Sequence, residues 1–410
     1  MFRRSFLKQA AGVGIVSLSG IAPSFLTRAF ATDVRNSPTK GRILVLVQMA
    51  GGNDGLNTVI PHGDAEYYKA RPGIGIPKQN VLKIDEHLGL NPQLAGLKEL
   101  YDEGSLAIVQ GVGYPNPNRS HFRSMDIWES ANVKTDSIET GWLGRAFDEK
   151  LKNAKSSAEI PALAVGMERT PLSLVSRKTA IPTVRDISSF KLKRMQSAQR
   201  EKVFDTIFAS RLASETENPE LAFLKQTSKT SLVAAQKLQE VTANYKPAVP
   251  YPAHRLGQQF KTVAQLIAGE FSSRCYFLSL GGFDTHSKQQ GAQQALLGEL
   301  STGIHAFFAD LKKHKLQDRV LLATFSEFGR RVGENASLGT DHGAAAPMFV
   351  VSPNGKGGLI GKHPSLTDLT RGDLKHHTDF RSVYATILEK WMEIPSSKIL
   401  GQKFPMIDFV

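Results

Sequence analysis

Six short runs dominated by apolar residues punctuate the chain: Ile43–Val47, Leu106–Val109, Ala162–Val165, Tyr276–Leu280, Val320–Phe325 and Met348–Val351. Runs of this length without polar alternation predict strands of a sheet covered on both faces. Between them apolar positions recur at helical spacing, as Leu94, Leu97 and Leu100 do within Pro92–Glu103. The same spacing predicts helices over His121–Ser130, Gln258–Phe271, Ala292–Lys313 and Asp379–Met392. Strands alternating with helices predict an α/β fold: a single large domain over residues 32–410, with a mainly parallel central sheet and helices on both faces. From about residue 187 to 250 the pattern turns polar and helical with no strand signal, which predicts a helical insertion ended by Pro247, Pro250 and Pro252.

Residues 1–31 follow a different rule. They hold Arg3, Arg4, Lys8 and Arg28 and no acid, then a weakly apolar stretch diluted by glycine and serine, and close on Ala29-Phe30-Ala31. A charged start, a short apolar stretch and a small-x-small end make an export signal, cleaved after Ala31. Arg3-Arg4-Ser5-Phe6-Leu7-Lys8 resembles the twin-arginine consensus, so the twin-arginine translocase is the expected partner in export to the periplasm or beyond. No later stretch reaches about 18 apolar residues, so the mature chain is not expected to span a membrane.

Composition narrows the chemistry. At 41% hydrophobic and 22% charged residues, the chain is neither disordered nor fibrous. Its one cysteine excludes an internal disulfide and a cysteine-rich zinc site. Without the four bases of the signal, +9 of the formal +13 charge remains, scattered and without interleaved aromatics. That is a solvated basic face or a steering field for an anionic small molecule or glycan, and not a nucleic-acid surface.

The polar residues that matter cluster just past the predicted strands, where open α/β sheets form their ligand crevice. The first strand runs into Gly51-Gly52-Asn53-Asp54, the strand at Leu280 into Gly281-Gly282-Phe283-Asp284-Thr285-His286, and the strand at Phe325 into Ser326-Glu327-Phe328-Gly329-Arg330. Gly339-Thr340-Asp341-His342-Gly343 follows. Asp54, Asp284, His286, Glu327, Asp341 and His342 are therefore the candidate metal ligands, because oxygen and imidazole donors together suit a divalent cation. Glu327 and Arg330 either serve as a ligand or base beside an anion clamp, or form an ion pair closing their loop. Ser120 and His121 open a helix, where the hydroxyl serves either as a cap or as a nucleophile in the positive field of the helix N-terminus.

Taken together, Gln48-Met49-Ala50-Gly51-Gly52-Asn53-Asp54-Gly55-Leu56-Asn57-Thr58, Arg119-Ser120-His121-Phe122, Gly141-Trp142-Leu143-Gly144-Arg145 and the later loops resemble the secreted bacterial family DUF1501. That family is in turn similar to the alkaline phosphatase and sulfatase superfamily. The resemblance implies an alkaline phosphatase-like domain with metal-dependent chemistry at the strand ends. It gives Asp54 the first-strand acid and Ser120 the nucleophile slot, with a metal-held water as the other choice. Asp284 with His286, and Glu327 or Asp341 with His342, take the later ligand positions, leaving a third histidine to come from His121 or His377. Cys275 lies inside a strand, so it is no formylglycine precursor, and phosphate esters are expected ahead of sulfate esters. Zinc or manganese is the expected metal, with calcium or magnesium the alternatives. The competing expectation is a non-catalytic envelope binding protein that keeps the fold.

Overall fold

The alternate residues of β1 (Ile43–Ala50) enter two separate cores. Ile43, Val45, Val47 and Met49 pack into one core, Leu44 and Leu46 into the other, and all six are buried. A strand covered on both faces needs such an unbroken apolar run, which is why it stands out in the sequence. The computed structural model describes residues 41–134, 138–152, 160–185 and 245–410. The expected export signal and residues 187–244 of the expected insertion lie outside the described residues.

β1 sits inside a nine-stranded sheet. The other strands are β2 (Leu106–Gly113), β3 (Ala162–Val165), β4 (Thr183–Val184), β5 (Cys275–Gly281), β6 (Val320–Phe325), β7 (Ala346–Val351), β8 (Gly358–Ile360) and β9 (Thr378–Asp379). Their order is β8-β2-β7-β6-β1-β5-β3-β4, with β9 paired to β2. β1 runs parallel to β5 from Leu44↔Cys275 to Ala50↔Gly281, and parallel to β6 from Ile43↔Val320. β7 is antiparallel to its neighbours β6 and β2, and the remaining pairs are parallel. The mainly parallel sheet is thus as expected. Its consequence is that β1, β2, β5 and β6 end, and β7 begins, along the same edge.

The described α-helices are α1 (Ala65–Ala70), α2 (Ala95–Asp102), α3 (His121–Ser130), α4 (Trp142–Lys150), α5 (Arg255–Ala268), α6 (Gln289–Lys313), α7 (Phe380–Thr386) and α8 (Ser396–Leu400). Leucines and phenylalanines of α2, α5 and α6 cover one face of the sheet; α3, α4, α7 and α8 cover the other. Each fully buried large apolar side chain contributes about 1.5–3 kcal/mol. Arg145 ties the second layer together by donating to the carbonyls of Ser130, at the end of α3, and Ile399, near the end of α8. Tyr245, Ala248 and Tyr251 all donate to the buried carboxylate of Asp310. Cys275 begins β5 at the edge opposite the loops that follow β1, β5 and β6, and burial pushes its thiol up. Among the described residues no helix is long and apolar enough to cross a membrane.

Under α3 the sheet carries a buried polar group whose ionisation is measurable. Glu129 accepts hydrogen bonds from Gln48 Nε2 at 3.1 Å and from the Ser173 nitrogen at 3.0 Å. Burial nevertheless raises its carboxyl to about 7. In the unfolded chain the same group ionises near 4.3. The folded state therefore holds the proton more tightly; the associated stability is fully present below that unfolded value and is lost as pH rises through about 7. The loss amounts to about 3 kcal/mol. Urea unfolding of the wild type and Glu129→Gln from pH 4 to 8 should show the wild type losing stability relative to the variant across this window. Parallel curves would contradict the assignment.

Candidate metal centre

Gly51 and Gly52 turn the chain directly after β1 with φ of +121° and +79°. A Cβ at Gly51 would run into the backbone nitrogen of Asp284, so only glycine lets the loops after β1 and β5 touch. The segment after β2 reaches Ser120 and enters α3 at His121. The loop after β6 is joined to the segment before β7 by the bridge Arg330↔His342.

Three of these segments send side chains to a single oxygen. Asp284 Oδ1 lies 3.1 Å from His286 Nε2, 3.2 Å from His342 Nε2 and 3.4 Å from His121 Nε2. The donor atoms of His121, Asp284 and His342 are all within 4.8 Å of one another. His286 Nε2 is 2.9 Å from His342 Nε2.

The far side of each ring decides what the near side offers. His121 Nδ1 is 2.8 Å from Glu327 Oε1, His342 Nδ1 is 2.8 Å from the Arg119 carbonyl, and His286 Nδ1 is 3.3 Å from Asp341 Oδ1. Carbonyl and carboxylate oxygens accept, so each neutral ring donates from Nδ1 and carries its lone pair on Nε2; the tautomers follow from these partners. Three lone pairs and a carboxylate oxygen thus face one another. Crowded acceptors of this kind repel unless a cation lies among them. His121 Nε2 is buried without a hydrogen-bond partner, as a ligand atom would be. His121, Asp284 and His342, with both rings held from behind by oxygens, present donors that fit a divalent metal ion, and His286 stands beside them against Asp284 and His342.

The local electrostatics favour the ligand forms. Burial works to raise the Asp284 carboxyl, but the hydrogen bond and positive charge of Arg330 outweigh it and hold the group down to about 2. Burial lowers His342, keeping its ring neutral. A hydrogen bond from Asn335, helped by His286, lowers Asp341 despite some burial. Phe328 walls the centre, its ring 4.5 Å from that of His342 and 4.9 Å from that of His121.

Of the expected ligands, Asp284, His286 and His342 meet, and His121 joins them as the third histidine. His377 lies elsewhere, its nitrogen bonded to the Gly111 carbonyl. Glu327 and Asp341 stand behind His121 and His286 rather than beside Asp284, which corrects their placement as direct ligands. Asp54 is a further correction. It is 1% exposed, paired with Arg71 at 2.5 Å, and also accepts from Gln289 and the backbone of Leu56 and Asn57. With both oxygens engaged, it offers no lone pair to the centre. Arg330 was expected to clamp an anion; instead it is buried and donates to the carbonyls of Gly51, Gly52, Phe283 and Thr340 and to Asp284. It braces the loops. Ser120 occupies the N-cap position of α3, is exposed, and makes no side-chain capping bond. Sequence reasoning missed Arg71, Gln289 and Asp373; no spacing or composition marks them.

Solved structures similar to this chain include the lipoteichoic acid synthase LtaP from Listeria monocytogenes, with 9% identity and a TM-score of 0.39 over 78% of this chain and 68% of that one. The PsFucS1 sulfatase from Pseudoalteromonas sp. is 12% identical, with a TM-score of 0.38 over 90% of this chain and 71% of that one. A protein in the alkaline phosphatase superfamily from Vibrio parahaemolyticus is 10% identical, with a TM-score of 0.35 over 85% and 73%. Values this low carry no inference about chemistry. No curated protein matches the chain. A family model described as "Protein of unknown function (DUF1501)" matches residues 104–394, a span that contains all four converging side chains, and the chain belongs to that family.

Proposed function

We propose that this chain is an exported, metal-dependent hydrolase of phosphate esters, with sulfate esters second. The observation that supports this reading most is the meeting of three Nε2 lone pairs on Asp284, one residue along the chain from a serine hydroxyl with no capping bond. His121, His286, His342 and Asp284 would hold the cation, and imidazole nitrogens favour zinc over manganese, calcium or magnesium. Such a cation supplies positive charge against the anionic oxygens of an ester.

The remaining work falls to the chain itself. Ser120 stands at the N-terminus of a ten-residue helix, where the partial positive charge favours an alkoxide over a hydroxyl. It is the proposed nucleophile. Glu327, Asp341 and the Arg119 carbonyl fix the three rings, and Arg330 fixes Asp284. The basic, acid-free start of the chain supports twin-arginine export to the periplasm with cleavage after Ala31.

The test is elemental analysis of protein purified from the periplasm, followed by assays on nitrophenyl phosphate and nitrophenyl sulfate. Stoichiometric metal and chelator-sensitive phosphate release, abolished in Ser120→Ala, are expected. A metal-loaded chain inert toward both esters would overturn the hydrolase reading in favour of an envelope binding protein.

A further inference from the structure

Once Arg330 is committed to the loops, the cations at the rim of the centre are Arg119 and Arg331, and the two share one carboxylate. Arg119 donates from Nε and Nη2 to Asp373 Oδ2. Arg331 Nε lies 3.8 Å from Asp373 Oδ1. Asp373 is 3% exposed, and its Oδ1 accepts no hydrogen bond among the described residues. The arginine side chains are 35% and 40% exposed. Both guanidiniums reach solvent while anchored on one buried acid, and the exposed Asp341 carboxylate is the other charge felt by Arg331.

The backbones of both arginines are tied to the centre. The Arg119 carbonyl accepts from His342 Nδ1, and the Arg331 nitrogen donates to the Asp341 carbonyl at 3.0 Å. The His342 ring therefore stands between Asp284 and the Arg119 backbone, so the pair flanks the centre instead of lining it. Gly372 takes φ +84° in the hairpin turn beside Arg331, a conformation that favours glycine.

We infer that Arg119 and Arg331, yoked by Asp373, form a second anion subsite beside the metal centre, so that the substrate carries a further anionic group on the part released or retained next to the scissile ester. This rests on the reading of the centre given above. It places the substrate among polyanionic esters and not among esters of neutral alcohols. Guanidiniums suit the role because each presents several donors in a plane to an oxyanion.

The test compares two non-hydrolysable probes on the metal-loaded chain by calorimetry: phenylphosphonate, with one anionic group, and 1,4-phenylenediphosphonate, with two. The diphosphonate should bind about tenfold more tightly, the effect of roughly one added charge-assisted contact. In Arg331→Gln and in Arg119→Ala that ratio should fall close to one while metal content is retained. A ratio near one in the wild type, or one untouched by both variants, would overturn the subsite and leave the metal reading standing. A chain that takes up no metal overturns the reading of the centre instead; the two-probe ratio on that metal-free chain then still decides the arginine pair.

Discussion

His342→Ala should leave the chain folded and abolish tight metal binding, lowering zinc affinity by well over 100-fold. The ring is the least exposed of the four, yet its side chain is still 21% exposed, so its loss opens no closed core. What disappears is one of four donors and the Nδ1 bond to the Arg119 carbonyl. Glu327→Ala offers the graded comparison. It touches no donor atom directed at the ion and removes the carboxylate behind His121, which also accepts from the Gly51 nitrogen, so affinity should drop about 10–100-fold, the usual cost of an outer partner. Wild-type affinity should itself fall on acidification, because protons compete for the imidazole nitrogens, and the difference from His342→Ala should narrow with it, since that variant has one imidazole fewer to deprotonate. Competition titration of zinc against a coloured chelator at pH 6 and 7.5, with circular dichroism as the folding control, measures them. Wild-type affinity in His342→Ala would remove the centre from consideration.

The parts of this molecule that sequence exposes are those where one physical demand fixes several neighbouring residues. A strand between two helix layers must be apolar at every position, and β1, β2, β5 and β6 were visible for that reason. The position of the site followed in turn, since parallel strands deliver their loops to one edge. What a given acid does within that edge was not visible. Asp54 and Asp284 each follow a glycine-rich turn and each meets a guanidinium, yet Asp54 is buried with both oxygens engaged while Asp284 also faces three imidazoles. The difference lies in Arg71, seventeen residues beyond Asp54, at the end of the short helix α1, in a stretch with no pattern of its own. Glu327 and Asp341 were hidden similarly: a carboxylate that holds a histidine and one that binds a metal need the same local sequence. Arg330 resembled a clamp because it follows Glu327 in the loop, whereas its partners are mainly backbone carbonyls, which leave no trace in side-chain patterns.

Asp54→Ala should do the reverse of His342→Ala, unfolding the protein under milder conditions while leaving the ligand atoms in place. Arg71 and Asp54 are 0% and 1% exposed at their side chains, and Arg71 also donates to the carbonyls of Arg331 and Val332 and to Asn57. Removing the carboxylate strands a buried positive charge, which costs about 3–5 kcal/mol, far more than the lost Coulomb attraction alone would in water. It also frees Gln289, whose amide bridges Asp54 to Gln293, and thereby loosens the start of α6. Replacing the pair together, as Asp54→Leu with Arg71→Met, removes the stranded charge and should recover part of the loss. Urea unfolding of the three variants, read beside their zinc content at saturating metal, separates the two roles: stability should fall sharply in Asp54→Ala while the folded fraction still binds stoichiometric zinc. If zinc were lost in proportion to the missing carboxylate at unchanged stability, Asp54 would be a ligand after all and Arg71 its displaceable substitute.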